Sequence, residues 1–244
     1  MKWGSFGVVH IASLLLGALI VLGLYFGLRN ASKKVQTAVL GVLSFAGIGA
    51  IIYNLVAWGS PIEYLPLHLC SINAILLPIV VFTKNKTVGN MLLVWCLGAL
   101  AALIVNTAQA DFELNSWTFV FYYFPHVLEF GIPILLFALG MIEKHPKYIL
   151  STLAITMLIY TGVHFCNLGL NAYLAANNIR NPAGELIQVN YMYSIVPANP
   201  LLVLFKQVIP YDYWYMYMIV PILAVYLSIV YLPQILRSKK KQKV

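Results

Sequence analysis

The chain has 244 residues, of which 61% are hydrophobic and only 9% are charged, against roughly 25% charged residues in a typical soluble domain. With 15 Lys and Arg and 7 Asp and Glu, it lacks the charge to cover a soluble surface, and one core cannot bury so many apolar residues. The composition also excludes a disordered chain, a collagen and a coiled coil. We therefore predict an integral membrane protein.

Seven apolar stretches are long enough to cross a bilayer, which takes about 20 helical residues. They are 7–28, 36–58, 66–82, 88–106, 118–142, 148–168 and 213–236, of which the third is short and carries polar side chains. The apolar runs are continuous rather than alternating, which favours helices over a barrel. The predicted fold is an all-α bundle of seven transmembrane helices, forming one integral membrane domain over residues 1–244.

The distribution of basic residues predicts the orientation of this bundle. With the N-terminus outside, all but three of the 15 Lys and Arg residues lie in cytoplasmic segments, the exceptions being Lys2, Arg180 and Lys206. The basic tail 237–244 is then cytoplasmic and lies against anionic lipid. The net charge of +8 requires no nucleic-acid partner. We expect a multi-pass protein of the cell membrane, which in a bacterium is the inner membrane. We also expect the first apolar stretch to be retained as a span and not cleaved.

Polar side chains of the predicted helices collect in their extracytoplasmic halves. Polar groups inside a membrane are costly, so a shared depth predicts a polar cavity that opens outward. The long outer segment 172–212 is rich in Asn, Pro and aromatic residues and is predicted to form a lid over it. The residues expected to line the cavity are His68, Asn73, Asn54, Asn106, His164, Asn167, Asn190 and Tyr191.

Cys70 lies within a dense polar motif at the start of the third apolar stretch. A cysteine near a helix N-terminus or a base has a stabilised thiolate and can act as a nucleophile. The alternative is a small, buried apolar residue, the usual role of a free cysteine. His68 is two residues away and can serve as the base only if the chain is unwound near Pro66.

His126 and Glu129 are three residues apart and share a helix face. A carboxylate one turn away can orient an imidazole that acts as a base. Glu129 is also the acidic residue that lies well inside a predicted span, where a carboxyl group suggests function. The alternative is a structural hydrogen bond between helices. Three cysteines without CxxC pairing predict no metal site, and no motif implies a cofactor.

Three motifs resemble the YwaF family of bacterial integral membrane proteins. The run EYLPLHLCSIN is similar to that family's LPLHLCS motif, VNYMYSIVPANP to its NYMY stretch, and PYDYWYMY to the entry of its last helix. This sequence has Ser194 where the family usually has Leu. A eukaryotic branch that resembles the family transfers acyl groups onto ether phospholipids with the motif cysteine as nucleophile. The resemblance implies seven spans, Cys70 as nucleophile and His126 as its partner.

The sequence leaves three interpretations of the polar cluster open. The first is a lipid acyltransferase, in which Cys70 attacks an acyl ester, His126 moves the proton and Glu129 orients His126. The second is a protein that binds or transports a polar solute without catalysis. The third is a structural membrane subunit whose polar groups only join helices, although such hydrogen bonds contribute only about 0.6 kcal/mol each. The expected partners are membrane lipids, including an acyl-lipid substrate, and the oligomeric state is undetermined by the sequence.

Overall fold

The computed structural model describes residues 1–58 and 60–241. Within these residues the chain forms α-helices joined by short turns and 3₁₀ segments, with two isolated β-bridges. The helices are α1 (Val8–Leu28), α2 (Lys33–Ser44), α3 (Ala46–Ala57), α4 (Leu69–Thr83), α5 (Lys86–Ile104), α6 (Trp117–Ala138), α7 (Tyr148–Ala176), α8 (Pro200–Val208) and α9 (Ile219–Lys241). The chain divides into two compact units, Met1–Glu143 and Lys144–Val244.

Six of the described helical stretches are long and apolar enough to cross a membrane, which confirms an all-α, multi-pass membrane protein. They are Val8–Leu28, Lys33–Ala57, Lys86–Ile104, Trp117–Ala138, Tyr148–Ala176 and Trp214–Gln234. The second combines α2 and α3, which are separated only by Phe45. The third predicted stretch is the 15-residue helix α4, which is about 22 Å long and shorter than the hydrocarbon core.

Within the first unit, α2 and α3 run antiparallel to α4, and α4 runs antiparallel to α5. Gly41 faces Phe82, and Gly47 faces Ala74. Residue numbers thus rise along α2 and α3 while those of the contacting residues on α4 fall. The same pattern joins α4 to α5, where Gly98 faces Leu69 and Gly89 faces Val80. The chain therefore reverses direction at each of these connections, including both ends of the short helix α4.

Helices α1 and α6 are parallel and pack through small residues. Gly17 faces Val127, and one turn further on Val21 faces Gly131. A Cβ atom on Gly131 would lie 2.5 Å from Cγ2 of Val21, closer than packed carbon atoms approach. Glycine at this position therefore allows the two helices to approach closely, as small residues do in other membrane bundles.

Capping residues set the helix boundaries of the first unit. The side chains of Ser32, Asn85 and Ser116 accept backbone hydrogen bonds at the starts of α2, α5 and α6, respectively. Helix α4 ends at Lys84, whose left-handed backbone (φ 55°) turns the chain directly into α5. The membrane-facing side of α1 is apolar and exposed, at Leu15, Leu19, Leu22 and Phe26, because lipid is the solvent for this surface.

The second unit contains α7, α8 and α9. Helix α7 continues to Ala176, eight residues beyond the predicted end of its span, because its polar outer residues bind the following segment. The predicted lid segment 172–212 therefore begins within α7 and contains the short helix α8, which begins with Asn199 as its capping residue. Helix α9 includes the start of the basic tail, and residues 242–244 lie outside the described residues.

The close packing of Val21 against Gly131 predicts the effect of adding a side chain at residue 131. Replacing Gly131 by Ala should lower stability by about 1–3 kcal/mol through overpacking, and Val21→Ala should restore most of the loss. Thermal unfolding of the full chain in detergent measures this effect. The control is Gly23→Ala, since a Cβ atom on Gly23 meets nothing within 4 Å. Equal melting temperatures for Gly131→Ala and Gly23→Ala would contradict the described packing.

Candidate functional site

Cys70 is the second residue of α4, and its thiol is half-buried and free. Pro61–Tyr64 forms a 3₁₀ turn, and His68 has an extended backbone (φ −73°, ψ 154°) as the N-cap of α4. The chain is therefore unwound near Pro66, the condition under which His68 remains a candidate partner for Cys70. The first turn of α4 places the positive end of the helix dipole near the Cys70 thiol.

Glu129 lies in the middle of α6 and is 3% exposed. Its carboxyl group packs against α3 and α4: a Cβ atom on Gly47 would lie 2.8 Å from Glu129 Oε1 and 2.5 Å from the Cβ of Ala74. Only glycine at residue 47 leaves room for both neighbours. The carboxyl group also lies within electrostatic range of the Cys70 thiol, so this part of the bundle joins α3, α4 and α6 around a buried acid.

Pro133 explains why a polar residue of α4 faces α6. Proline has no N–H, so it cannot donate to the carbonyl of the residue four positions earlier, which is Glu129. In the structure Asn73 takes that role, since its Nδ2 lies 3.5 Å from the carbonyl oxygen of Glu129. Helix α6 continues through both Pro125 and Pro133, so these prolines release carbonyl groups without ending the helix.

Two oxygen atoms in this contact accept no hydrogen bond from the described residues. They are Oδ1 of Asn73 and Oε2 of Glu129, and both are buried. Asn73 is 1% exposed. Buried polar atoms are rarely left without a donor in folded proteins, so this pair of acceptors marks a polar point inside the first unit.

His126 lies one turn before Glu129 on α6 and is half-buried. Its Nδ1 is 2.6 Å from the carbonyl oxygen of Tyr122, and the two rings lie 4.4 Å apart. A carbonyl oxygen only accepts hydrogen bonds, so Nδ1 carries the proton, and in the neutral ring Nε2 is the basic nitrogen. The group that orients His126 in the structure is therefore the Tyr122 carbonyl, whereas the sequence suggested Glu129.

Helix register places Cys70 and His126 at the same level of the bundle. Helices α4 and α6 are parallel, because both are antiparallel to α5: Tyr122 near the start of α6 reaches Ala102 near the end of α5. Asn73 meets Glu129 between α4 and α6. Cys70 and His126 each lie three residues earlier on the same faces, about 4.5 Å towards the helix starts.

Two other predicted cavity residues lie elsewhere in the first unit. Asn106 follows α5 and is buried, and its Nδ2 donates to the carbonyl of Gly4 at 2.7 Å. It therefore holds the N-terminal segment, whose Trp3 is fully buried and donates to Ser13. Asn54 is half-buried on α3. The contacts of Asn106 are thus structural rather than directed at Cys70.

The predicted residues of the second unit form a clasp between α7 and the NYMYS segment, Asn190–Ser194. Asn167 donates to the carbonyl of Tyr191 (2.8 Å) and accepts from its N–H (2.9 Å). His164 Nδ1 is 2.9 Å from Ser194 Oγ. The side-chain oxygen of Asn190 accepts from the N–H groups of Ile195 and Val196.

This clasp gives the second motif a structural explanation. The side-chain amide of Asn171 bonds both the N–H and the carbonyl of Val189, at 2.8 and 2.9 Å. Side chains of α7 thus replace the backbone partners that a segment without regular structure lacks. Ser194, the position where the sequence departs from the YwaF pattern, accepts from Asn167 at 2.9 Å.

Comparison with known proteins shows the family of the chain. A family model described as the TMEM164 family matches residues 5–231. The chain belongs to the TMEM164 family. No curated protein and no solved structure matches it significantly. The match extends over both units and includes Cys70, His126 and Glu129.

Sequence reasoning missed three residues of this TMEM164-family site. Gly47, Ala74 and Tyr122 shape the surroundings of Glu129 and His126, yet each looks ordinary in an apolar helix. Pro133 was the available signal, because a proline inside a helix leaves the carbonyl four residues earlier in need of a donor. No group of three or more His, Cys, Asp or Glu side chains capable of holding a metal ion occurs in the part of the chain that the structure describes.

The Asn73–Glu129 contact predicts a non-additive pair of substitutions. Asn73→Ala should cost about 1–3 kcal/mol because it leaves the carbonyl of Glu129 without a donor. In a Pro133→Ala background, the restored helix N–H fills that role and the cost should fall by at least about half. Unfolding of the four proteins in detergent gives the coupling energy. Equal costs of Asn73→Ala in both backgrounds would contradict the assigned contact.

Proposed function

We propose that this TMEM164-family protein is a membrane-embedded acyltransferase that carries an acyl group on Cys70. The observation that carries the proposal is the position of this thiol, at the N-terminal turn of α4 and at the level of His126 on the parallel helix α6. Cys70 and His126 are half-buried, and Glu129, one turn further along α6 from His126, is buried.

The proposed reaction has two steps. His126 Nε2 takes the proton of the Cys70 thiol, and the sulfur attacks the carbonyl carbon of a phospholipid ester. The ester C–O bond breaks, the departing alcohol oxygen takes the proton back from His126, and the acyl group remains on sulfur as a thioester. The hydroxyl group of a second lipid then gives its proton to His126 and attacks the thioester. This step forms the new ester, and the proton returns to the thiol.

The tautomer of His126 supports its role as the base. The Tyr122 carbonyl holds the proton on Nδ1, so Nε2 has a free electron pair before the reaction begins. The Tyr122 carbonyl thus fixes the tautomer and orientation of His126, a role that a carboxylate has in many hydrolases. Glu129 and Asn73 are positioning residues in this scheme, because their contact sets the register of α4 and α6 and so keeps Cys70 and His126 level.

A phospholipid ester is the proposed substrate class. The two side chains lie on helices whose other faces meet lipid, and Cys70 and His126 belong to the ends of α4 and α6 at which these helices begin. The YwaF resemblance, with its acyl-transferring eukaryotic branch, adds to this proposal through the LPLHLCS motif around Cys70. In this scheme the chain forms one integral membrane domain over residues 1–244.

We also propose that the chain crosses the membrane seven times, with its N-terminus outside and its C-terminus in the cytoplasm of a bacterial cell. The antiparallel contacts of α4 with both α3 and α5 support a full crossing by α4, although this helix is short. The preceding segment 65–68 completes its length. Lysine-rich connections then fall on one side of the membrane, and Cys70 lies at the outer side.

Transfer of an acyl chain by the purified protein tests the proposed function. The full chain is reconstituted with a phospholipid that carries an isotope-labelled acyl chain and with a lysophospholipid acceptor, and products are measured by mass spectrometry. Cys70→Ala and His126→Asn should each lower the rate by about 10²-fold or more. Cys166→Ala is the matched control, because this thiol is exposed and free, and its rate should equal that of the unmodified chain.

Two results would contradict the proposed acyltransferase activity. One is transfer that survives Cys70→Ala at its full rate. The other is an absence of transfer together with saturable binding of a polar solute that depends on His126 and Glu129 but not on Cys70. The second result would instead support a binding or transport protein without catalysis.

A further inference from the structure

A second surface feature of the first unit lies far from Cys70. A groove of about 460 Å³ is lined by Lys33, Lys34, Thr37, Ala38 and Phe82. It lies where α2 begins and where α4 ends. Along α4 the groove is about 18 Å from Cys70, so it is not part of the site described above. The charge distribution predicts that this end of the bundle faces the cytoplasm.

The groove is positively charged, and no acidic side chain lines it. Lys34 forms no hydrogen bond or ion pair with any residue that the structure describes. Lys33 donates to the carbonyl of Leu139 at 2.5 Å, which uses one of its three ammonium hydrogens. Burial and the nearby charge of Lys33 lower the pKa of Lys84, which indicates a concentration of positive charge at this end of the unit.

Helix geometry arranges these groups in two rows. Lys33 and Thr37 are four residues apart on α2, as are Lys34 and Ala38, so each pair shares one side of the helix. The backbone N–H groups at the start of α2 add to the positive potential, since the N-cap Ser32 satisfies only that of Val35. Ammonium, hydroxyl and backbone donors together match the oxygens of a phosphate group.

The apolar part of the lining identifies the source of that phosphate. Ala38 and Phe82 are exposed beside the lysines. Ala38 belongs to a helical stretch long and apolar enough to cross a membrane, and Phe82 to the shorter apolar helix α4. A free anion gains nothing from contact with these side chains, whereas a lipid presents its phosphate and the start of its acyl chains together. Anionic lipids are concentrated in the cytoplasmic leaflet.

We propose that this groove binds the phosphate of an anionic phospholipid headgroup, with Lys33, Lys34 and Thr37 as donors and with Ala38 and Phe82 against the acyl chains. The site is independent of the proposed acyl transfer. Its occupant links the start of α2 to the end of α4, so bound lipid should stabilise the first unit.

Native mass spectrometry and thermal unfolding of the full chain in neutral detergent test the site with phosphatidylglycerol as the probe. Phosphatidylglycerol should bind and raise the melting temperature, whereas phosphatidylcholine and inorganic phosphate should do neither. Replacing Lys33 and Lys34 by Gln should weaken phosphatidylglycerol binding about thirtyfold, since each basic residue near a membrane surface contributes about a factor of five. The variant Lys34→Gln with Thr37→Val keeps the contact between Lys33 and Leu139, and so tests the site if the first variant fails to fold.

The matched control removes two lysines from the second unit, Lys144→Gln with Lys147→Gln. This variant has the same net charge as the double substitution in the groove and should bind phosphatidylglycerol as the unmodified chain does. Three results would overturn the proposal: equal weakening in the control, full binding by both groove variants, or inorganic phosphate binding as tightly as the lipid.

Discussion

The contact between Asn73 of α4 and Glu129 of α6 is the constraint on which the proposed site depends. Pro133 leaves the carbonyl of Glu129 without its helical donor, and Asn73 reaches across from α4 to supply one. The carboxyl group of Glu129 fills the space that Gly47 leaves open on α3. Three helices are thereby fixed in register around one buried acidic residue. In lipid, where water cannot bind an open carbonyl, such a contact has no ready substitute.

This constraint explains why a thiol and an imidazole that are 56 positions apart in the sequence reach the same level of the membrane. Cys70 and His126 each precede the contact by one turn on parallel helices. The local surroundings then act on each group: the start of α4 places the positive end of the helix dipole at Cys70, and the Tyr122 carbonyl fixes the tautomer of His126. Both groups belong to the same compact unit.

The motifs of the TMEM164-family chain divide into two kinds of role. The LPLHLCS motif carries the candidate nucleophile in the first unit. The NYMYS motif instead joins to α7, where Asn167 and Asn171 replace the partners of an irregular backbone. A further hydrogen bond holds the same segment, since the backbone N–H of Tyr213 donates to the carbonyl of Ser194 at 2.7 Å. A distinctive sequence motif can therefore be required for folding rather than for chemistry.

The sequence predicted the helices well because lipid imposes continuous apolar runs of a fixed length. That Cys70, His126 and Glu129 act together stays a prediction. The sequence could not predict the orienting partner of His126, because a backbone carbonyl such as that of Tyr122 leaves no trace in residue type. Nor could the sequence distinguish the role of Asn167 from that of Asn73, since the residue type does not show which partner an asparagine side chain binds.

The most direct test of the central claim is the mass of the intact chain after incubation with a phospholipid. An acyl-enzyme mechanism predicts a mass increase equal to one acyl group, located on the peptide that contains Cys70 and removed by hydroxylamine, which cleaves thioesters. Rapid mixing or an acceptor-free membrane allows the intermediate to accumulate. A chain that transfers acyl groups without ever carrying one on Cys70 would contradict the account.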